Sequence, residues 1–458
     1  MAQNFLPCDR EQELLLPPSM REWLPDDHLA WFVLDAVDEI DLSPFYAGYR
    51  EDGWGRAAFE PQMMVALLLY AYAVGERSSR GIERRCREDV AFRVLTANQI
   101  PDHATIARFR ARHERALADT FAQVLALCAQ AGLVSVGVVA LDGSLLAGNA
   151  SPGATRSYAS IREEVERMLA EAARADAVED ERLGEARGDE LPPDLVDARS
   201  RRARLRRCKE QLEQAQADEE AAYRANLDWR AAWEAEHGRR LTGRKPTPPD
   251  PAALAARKIN TTDPDTRLMK RAAGRSVQGY NVQVVASPEQ VILAAQVTQS
   301  HNDADQLAPM VAQAASALRE AGIEEPIGTV LADGGYWNSP AITEVRGQGI
   351  DVLIPTQDRR RTAPRKLSPR QGEEARRIEA VLSKSEGQAL YRRRQQIVEP
   401  VFAHTKFIRR SDRFLRRGLA ACQAEWQLIA ATHNLLKLWR AGLAGGGNGT
   451  LKPPAPAS

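Results

Sequence analysis

Two stretches of the chain carry an apolar run straight into an aspartate. In Val330-Leu-Ala-Asp-Gly-Gly-Tyr-Trp337 the run ends at Asp333, and in Val136-Gly-Val-Val-Ala-Leu-Asp-Gly143 it ends at Asp142. An apolar run that stops abruptly at Asp-Gly reads as a buried strand with a carboxylate at its C-terminal lip. Open α/β sheets tend to hold ligands and catalytic groups at that lip. Two such carboxylates on adjacent strands suit a hard divalent cation. Mg2+ prefers oxygen ligands and takes one or two carboxylates together with phosphate oxygens. A pair of such ions about 4 Å apart can hold both the attacking and the leaving oxygen of a phosphodiester displacement.

A third carboxylate is usually needed for the second ion. Downstream candidates are Glu373, Glu374, Glu379, Glu386, Glu399 and Asp412. Glu399 stands out because the segment from Tyr391 to Lys406 around it is densely basic. In a helix, Glu399, Phe402 and Lys406 share a face, with Phe402 packing inward, Glu399 facing the ions and Lys406 the phosphate. Pro400 either starts a helix just after Glu399 or kinks a longer one. Each feature alone has a plainer explanation. Asp-Gly after a strand is most often a turn. A charge run is most often a solvated face. Glu399 alone could pair with Arg394 or Lys406. The conjunction, in this order along the chain, is what one fold explains.

The totals narrow the function classes. The 458 residues are enough for two or three domains, and 44% are apolar. Lys plus Arg equals Asp plus Glu at 62 each, which argues against a uniformly basic nucleic-acid binder. The basic residues cluster instead between Thr356 and Arg417, including Arg359, Arg360, Arg361, Arg365, Lys366, Arg392, Arg393, Arg394, Lys406, Arg409, Arg410, Arg413, Arg416 and Arg417. That cluster beside acidic residues suggests a polyanion laid across the site, with salt-sensitive binding. The five scattered cysteines include no CxxC pair, so neither a disulfide framework nor a structural zinc site is expected. No leader is expected at the N-terminus, and the most apolar stretch, Met63 to Val74, is too short to span a bilayer. These features lead us to expect a soluble cytoplasmic protein.

The elements that would position the carboxylates follow from periodicity. Residues 1–134 read as an all-helical N-terminal domain. It includes a basic helix over 77–95 and a second basic helix, after Pro101-Asp102, carrying Arg108, Arg110 and Arg112. The pair resembles a DNA-contacting helix-turn-helix. The first strand spans 136–149. Residues 152–258 read as a helical hairpin insertion and linker, broken at Leu191-Pro-Pro193. A β-hairpin follows over 278–286 and 291–297, then a helix over 304–321, a strand over 327–331, a helix over 340–348 and a strand over 352–354. With the insertion removed, 135–151 and 259–440 predict an α/β, ribonuclease-H-like mixed sheet with flanking helices. The tail, 441–458, is rich in Gly, Pro and Ala and is expected to be disordered.

These motifs carry a family likeness. Leu141-Asp-Gly-Ser144, Leu331-Ala-Asp-Gly-Gly-Tyr336 and Tyr391 through Lys406 resemble bacterial insertion-sequence transposases of the DDE type. Phe59-Glu-Pro61, Pro101-Asp-His-Ala-Thr105 and Asp263 through Lys270 are similar to further segments of that family. The resemblance implies a ribonuclease-H-like core with Asp142, Asp333 and Glu399 as a catalytic, metal-binding triad. It implies two Mg2+ ions, with Mn2+ as the substitute, cleavage at transposon ends, and strand transfer into target DNA. Tyr391, Arg394 and Lys406 match a signature read as DNA-contacting, and Arg409 and Arg410 extend it. Four residues separate Arg394 from Glu399 where the related signature often has three. The implied partners are double-stranded DNA, as ends and target, and a second copy in a working homodimer, with no membrane. The implied location is the bacterial nucleoid. The alternative expectation is an inactive or repurposed protein that only binds the ends.

Overall fold

The computed structural model describes residues 19–49, 57–183, 201–243, 245–270, 276–356 and 369–444. Its centre is a six-stranded mixed sheet. In chain order the strands are β1 (Val138–Ala147), β2 (Thr155–Ser157), β3 (Lys258–Asn260), β4 (Arg267–Lys270), β5 (Ser276–Ala286), β6 (Ile292–Thr298), β7 (Thr329–Leu331) and β8 (Asp351–Leu353). β2 and β3 form a separate antiparallel pair. In the main sheet β1 lies between β5, which is antiparallel to it, and β7, which is parallel. β8 continues the parallel side, while β4 and β6 pair with opposite ends of β5 on the antiparallel side. Two-sided burial explains why β1, β6 and β7 read as near-continuous apolar runs.

The helices and the sheet share one core. Helix Leu419–Ala444 packs on Glu114–Gln130, on Pro61–Ala73 and on β6, so the N-terminal helices bury their apolar faces against the same body as the sheet. The expected single helix over 77–95 is instead two, Ser79–Glu88 and Val90–Leu95. Asp89 breaks it by leaving helical geometry and accepting hydrogen bonds from the backbone N–H groups of Ala91 and Phe92. Its basic face is partly neutralised by Glu83 and Glu88, which pair with Arg87 and Arg84.

The insertion supplies helices Tyr158–Leu183 and Arg201–His237, packed through Ile161, Val165, Leu205, Cys208 and Leu212. The expected break at Leu191-Pro-Pro193 lies outside the described residues, as do Arg359, Arg360, Arg361, Arg365 and Lys366. At the C-terminus the helix extends to Ala444, and the rest of the tail lies outside the described residues. Among the described residues, no helix is long and apolar enough to cross a membrane.

Two histidines link this core to pH. His433 is buried, its Nε2 lies 2.9 Å from the Gln290 carbonyl, and its Nδ1 lies 3.3 Å from Nδ1 of His404. The carbonyl requires a proton on His433 Nε2, which leaves His433 Nδ1 to accept from His404. Burial, with Arg409 nearby, holds both rings below the usual histidine range, His404 down to about 4. The unfolded chain therefore takes up protons below about pH 6.5 that the folded chain refuses. Stability is expected to fall as pH drops from 6.5 towards 4, by up to ~1.4 kcal/mol per pH unit for each histidine. Urea unfolding at pH 7.5 and pH 5 checks this, and His433→Gln should flatten the slope.

Candidate active site

The parallel register brings the two aspartates together. Ala140 of β1 lies opposite Leu331 of β7. Asp142 and Asp333 each come two residues later, so they stand at the same level of the sheet, about 4.8 Å apart in the pairing direction. Asp333 follows the end of β7, but Asp142 is not at the strand lip its sequence suggested, because β1 continues pairing with β5 as far as Ala147. Each spends one oxygen locally. Asp142 Oδ1 accepts from the Gly143 N–H at 2.8 Å. Asp333 caps the turn Gly334–Tyr336, its Oδ1 accepting from the Gly335 N–H at 2.8 Å. The other oxygen of each carboxylate is left for a partner. Burial pushes the Asp142 carboxyl up to about 6, against the pull of Arg394, and the charges of Asp333 and Asp303 push it the same way.

Helix Ser385–Ala403 crosses β1 and supplies the third part of the site. It runs straight through Pro400, which lacks the N–H that would bond the Gln396 carbonyl. The Gln290 side chain donates to that carbonyl instead, at 3.1 Å, which is how the helix tolerates the proline. Arg394, half-buried, sets Nη1 3.0 Å from Asp142 Oδ2, while its buried Nε has no hydrogen-bond partner among the described residues. Glu399 is exposed on the same helix, close enough that its charge favours the protonated Arg394. Phe402 is buried and stacks on Trp426, as its spacing suggested. Tyr391 is partly buried one turn before Arg394 and also acts on its charge. The helix then widens into a π-turn, His404–Ile408, whose Lys406 donates to Ser144 Oγ at 2.8 Å.

A further carboxylate was not found from the sequence. Asp303, just before helix Leu307–Glu320, accepts from Asn281 Nδ2 and Gln283 Nε2, both at 2.7 Å and both onto Oδ1. Burial raises its carboxyl, and the Asp333 charge adds to that. The fully buried Gln283 also accepts from the Tyr336 hydroxyl, so one amide ties β5, the Asp303 loop and the turn after Asp333 together. Gly143 explains itself here, since a Cβ would lie 2.5 Å from Gln283 Nε2 and 3.0 Å from Asp303 Oδ1. The available signal was a pair of polar residues, Asn281 and Gln283, at alternate positions of the otherwise apolar run Tyr280–Ala286.

Several expected DNA contacts sit elsewhere. Arg409 is only 2% exposed and donates to the carbonyls of Tyr72 and Ile429 and to Thr432. It is a buried strut, which corrects its reading as a phosphate contact. Arg110 turns inward to the Tyr72 hydroxyl, the Arg77 carbonyl and Ser79, so it too braces helices instead of facing solvent. Arg112 is exposed but lies over the Tyr49 ring at 4.4 Å and donates to the Gly48 carbonyl. Arg108 and Arg410 are exposed.

Among the described residues, no three His, Cys, Asp or Glu side chains are drawn together as a ready cage for a metal ion. The donor chemistry nonetheless fits a hard divalent cation. Asp142 and Asp333 offer carboxylate oxygens within one another's field, and the charge that sits on Asp142 is a cation, the Arg394 guanidinium.

Two family models match the chain. One, described as a transposase domain (DUF772), covers residues 18–112, and the other, described as a transposase DDE domain, covers residues 253–435. The second match includes Asp333 and Glu399, while Asp142 lies before it, on the far side of the helical insertion. No curated protein and no solved structure matches the chain.

Proposed function

Because the chain belongs to the insertion-sequence DDE transposases, we propose that it cuts DNA at the ends of a mobile element and joins those ends to a target. The observation that carries this reading is the register of β1 and β7, which sets Asp142 and Asp333 side by side under a helix bearing Glu399. The strand order, antiparallel on one side of β1 and parallel on the other, supports a ribonuclease-H-like core. In this reading Asp142, Asp333 and Glu399 hold Mg2+, as one ion or two. When bound, the metal supplies positive charge to the attacking and leaving oxygens of the phosphodiester. The protein's own part is orientation. Gly143, Gln283 and Asp303 fix the level of the sheet at which the two aspartates stand, Tyr336 braces the turn after Asp333, and Lys406 holds β1 at Ser144. Water is the first nucleophile and a DNA 3′-hydroxyl the second. Joining two ends calls for at least two copies in the working complex.

The test uses labelled duplex carrying the element's terminal inverted repeat, incubated with Mg2+. Wild type should nick it, and Glu399→Gln should lose about a hundredfold or more in rate with end binding nearly unchanged. A wild type that binds without cutting would overturn the enzymatic reading. Cleavage retained in Glu399→Gln would move the third carboxylate to Asp303.

Arg394 adds a second expectation. Seated on Asp142, it competes for the oxygen that a metal ion would use. Arg394→Gln should tighten Mn2+ binding to the DNA-free protein about tenfold, since a neighbouring cation shifts such equilibria by an order of magnitude or more. Electron paramagnetic resonance of free Mn2+ reads this directly. Unchanged or weaker binding would mean that the guanidinium does not occupy the metal position.

A further inference from the structure

Helix Arg201–His237 changes character halfway along. Its first half buries Leu205, Cys208 and Leu212 against helix Tyr158–Leu183, and beyond Gln216 none of its residues is buried. That second half runs for about 30 Å at 1.5 Å per residue. One side of it is used by the chain itself. Gly238, at φ +61, turns the backbone, and the Leu241 carbonyl accepts from Arg230 while its N–H donates to Glu234 at 2.9 Å. Arg257 pairs with Glu219 on that same side.

Another side stays open. Ala222, Ala225, Trp229 and Ala232 are all exposed, Trp229 at 57%, and they follow one another at intervals of three, four and three residues. That is the spacing of a coiled-coil seam, which is apolar because it meets a second helix. Trp233 flanks the seam, its ring stacked on His237 at 4.1 Å between centroids with the Arg239 guanidinium 5.7 Å above it. Asp218 continues the seam one turn before Ala222, and Arg239 and Arg240 follow its far end. Centred on Trp229, an antiparallel copy brings Asp218 level with Arg240, Ala225 with Trp233 and Ala222 with Glu236, so opposite charges meet and each indole faces small side chains. Parallel pairing in register would set Asp218 on Asp218 and the arginines on each other. Between Asp218 and Glu236 six acids outnumber two arginines, which disfavours a phosphate backbone as the occupant.

We propose that this face pairs antiparallel with the same face of a second copy of the chain, with the two Trp229 side chains meeting on the two-fold axis. Such a contact is self-complementary, as a two-fold interface must be. It provides a surface for the two copies that the cleavage reading calls for, but it stands independently of that reading. The full-length protein, without DNA or metal, is followed by sedimentation velocity across micromolar concentrations. Wild type should be a dimer. Trp229→Glu should weaken association at least about a hundredfold, because the axis removes two indoles at once. Asp218→Lys and Arg240→Glu should each weaken it severalfold, and Asp218→Lys/Arg240→Glu should return it close to wild type, a recovery that a damaged fold would not give. All three side chains are exposed, so thermal midpoints should not move.

A wild type that stays monomeric throughout overturns the pairing, as does a dimer that Trp229→Glu leaves intact. Charge reversals whose effects add instead of cancelling overturn the antiparallel arrangement. Each of these results leaves the cleavage reading standing, since neither DNA nor metal is present. A Trp229→Glu variant that still self-associates but no longer binds the terminal-repeat duplex assigns the face to DNA and overturns the pairing as well.

Discussion

Replacing Asp333 by asparagine is expected to reduce DNA strand cleavage by at least about a thousandfold while leaving the fold intact. The reasoning separates charge from structure. Asp333 caps the turn Gly334–Tyr336 through one oxygen, and an asparagine oxygen caps a backbone N–H equally well. The second oxygen has no hydrogen bond or ion pair among the described contacts, so no buried partner is orphaned by the change. What disappears is one negative charge at the place where a metal would be held. Losing about 4 kcal/mol of charge stabilisation corresponds to the stated factor. Asp142→Asn would be a less clean test, because it strands the Arg394 guanidinium beside a neutral amide. Cleavage rates with Mg2+, read alongside thermal midpoints, check the prediction. A variant that melts normally and still cuts within about tenfold of wild type would remove Asp333 from the chemistry.

The largest effect on stability is expected at Glu425. This buried carboxylate accepts from Arg77 Nη1 at 2.8 Å, from the Leu415 N–H at 3.0 Å and from the Arg416 N–H at 3.0 Å. Arg77 completes the joint by donating to the carbonyls of Arg410 and Arg413 at 3.0 and 2.9 Å. Gly75 lets the chain come this close, at φ +83 with the Arg409 carbonyl 3.0 Å from where a Cβ would stand. One ion pair therefore fastens the N-terminal helices to the loop that follows the π-turn. Glu425→Ala leaves Arg77 charged and buried and two backbone N–H groups without an acceptor. The expected loss is about 3–5 kcal/mol in urea unfolding. Replacing both partners, as Arg77→Met/Glu425→Met, should recover much of it, because no charge is left buried. A loss below about 1 kcal/mol in Glu425→Ala would show that water takes the carboxylate's place.

The chain announced its local elements and little of what joins them. Apolar runs ending in Asp-Gly, the alternation in 278–286 and 291–297 and the helical spacing after Ser339 match the observed β1, β5, β6, β7 and helix Ser339–Gly347 within a few residues. Periodicity is a local property, and each run is buried for its own composition. It also marked Asp142 and Asp333, because a carboxylate at the end of a buried run is visible from its neighbours alone. The burial of charge was not visible in this way. Arg409 and Arg410 are adjacent and identical in type, yet one is buried and the other exposed. What separates them is the set of carbonyls at Tyr72 and Ile429 that folding brings around the first. Asp303 and Gln283 joined the site in the same way, through amide donors and a hydroxyl from segments distant in sequence. A lone polar residue in a strand carries no local sign of the partner that will satisfy it. Residue type and period determined where the two aspartates stand. Only the tertiary structure decided which charges surround them, because a charge can be buried only where other elements supply its hydrogen bonds.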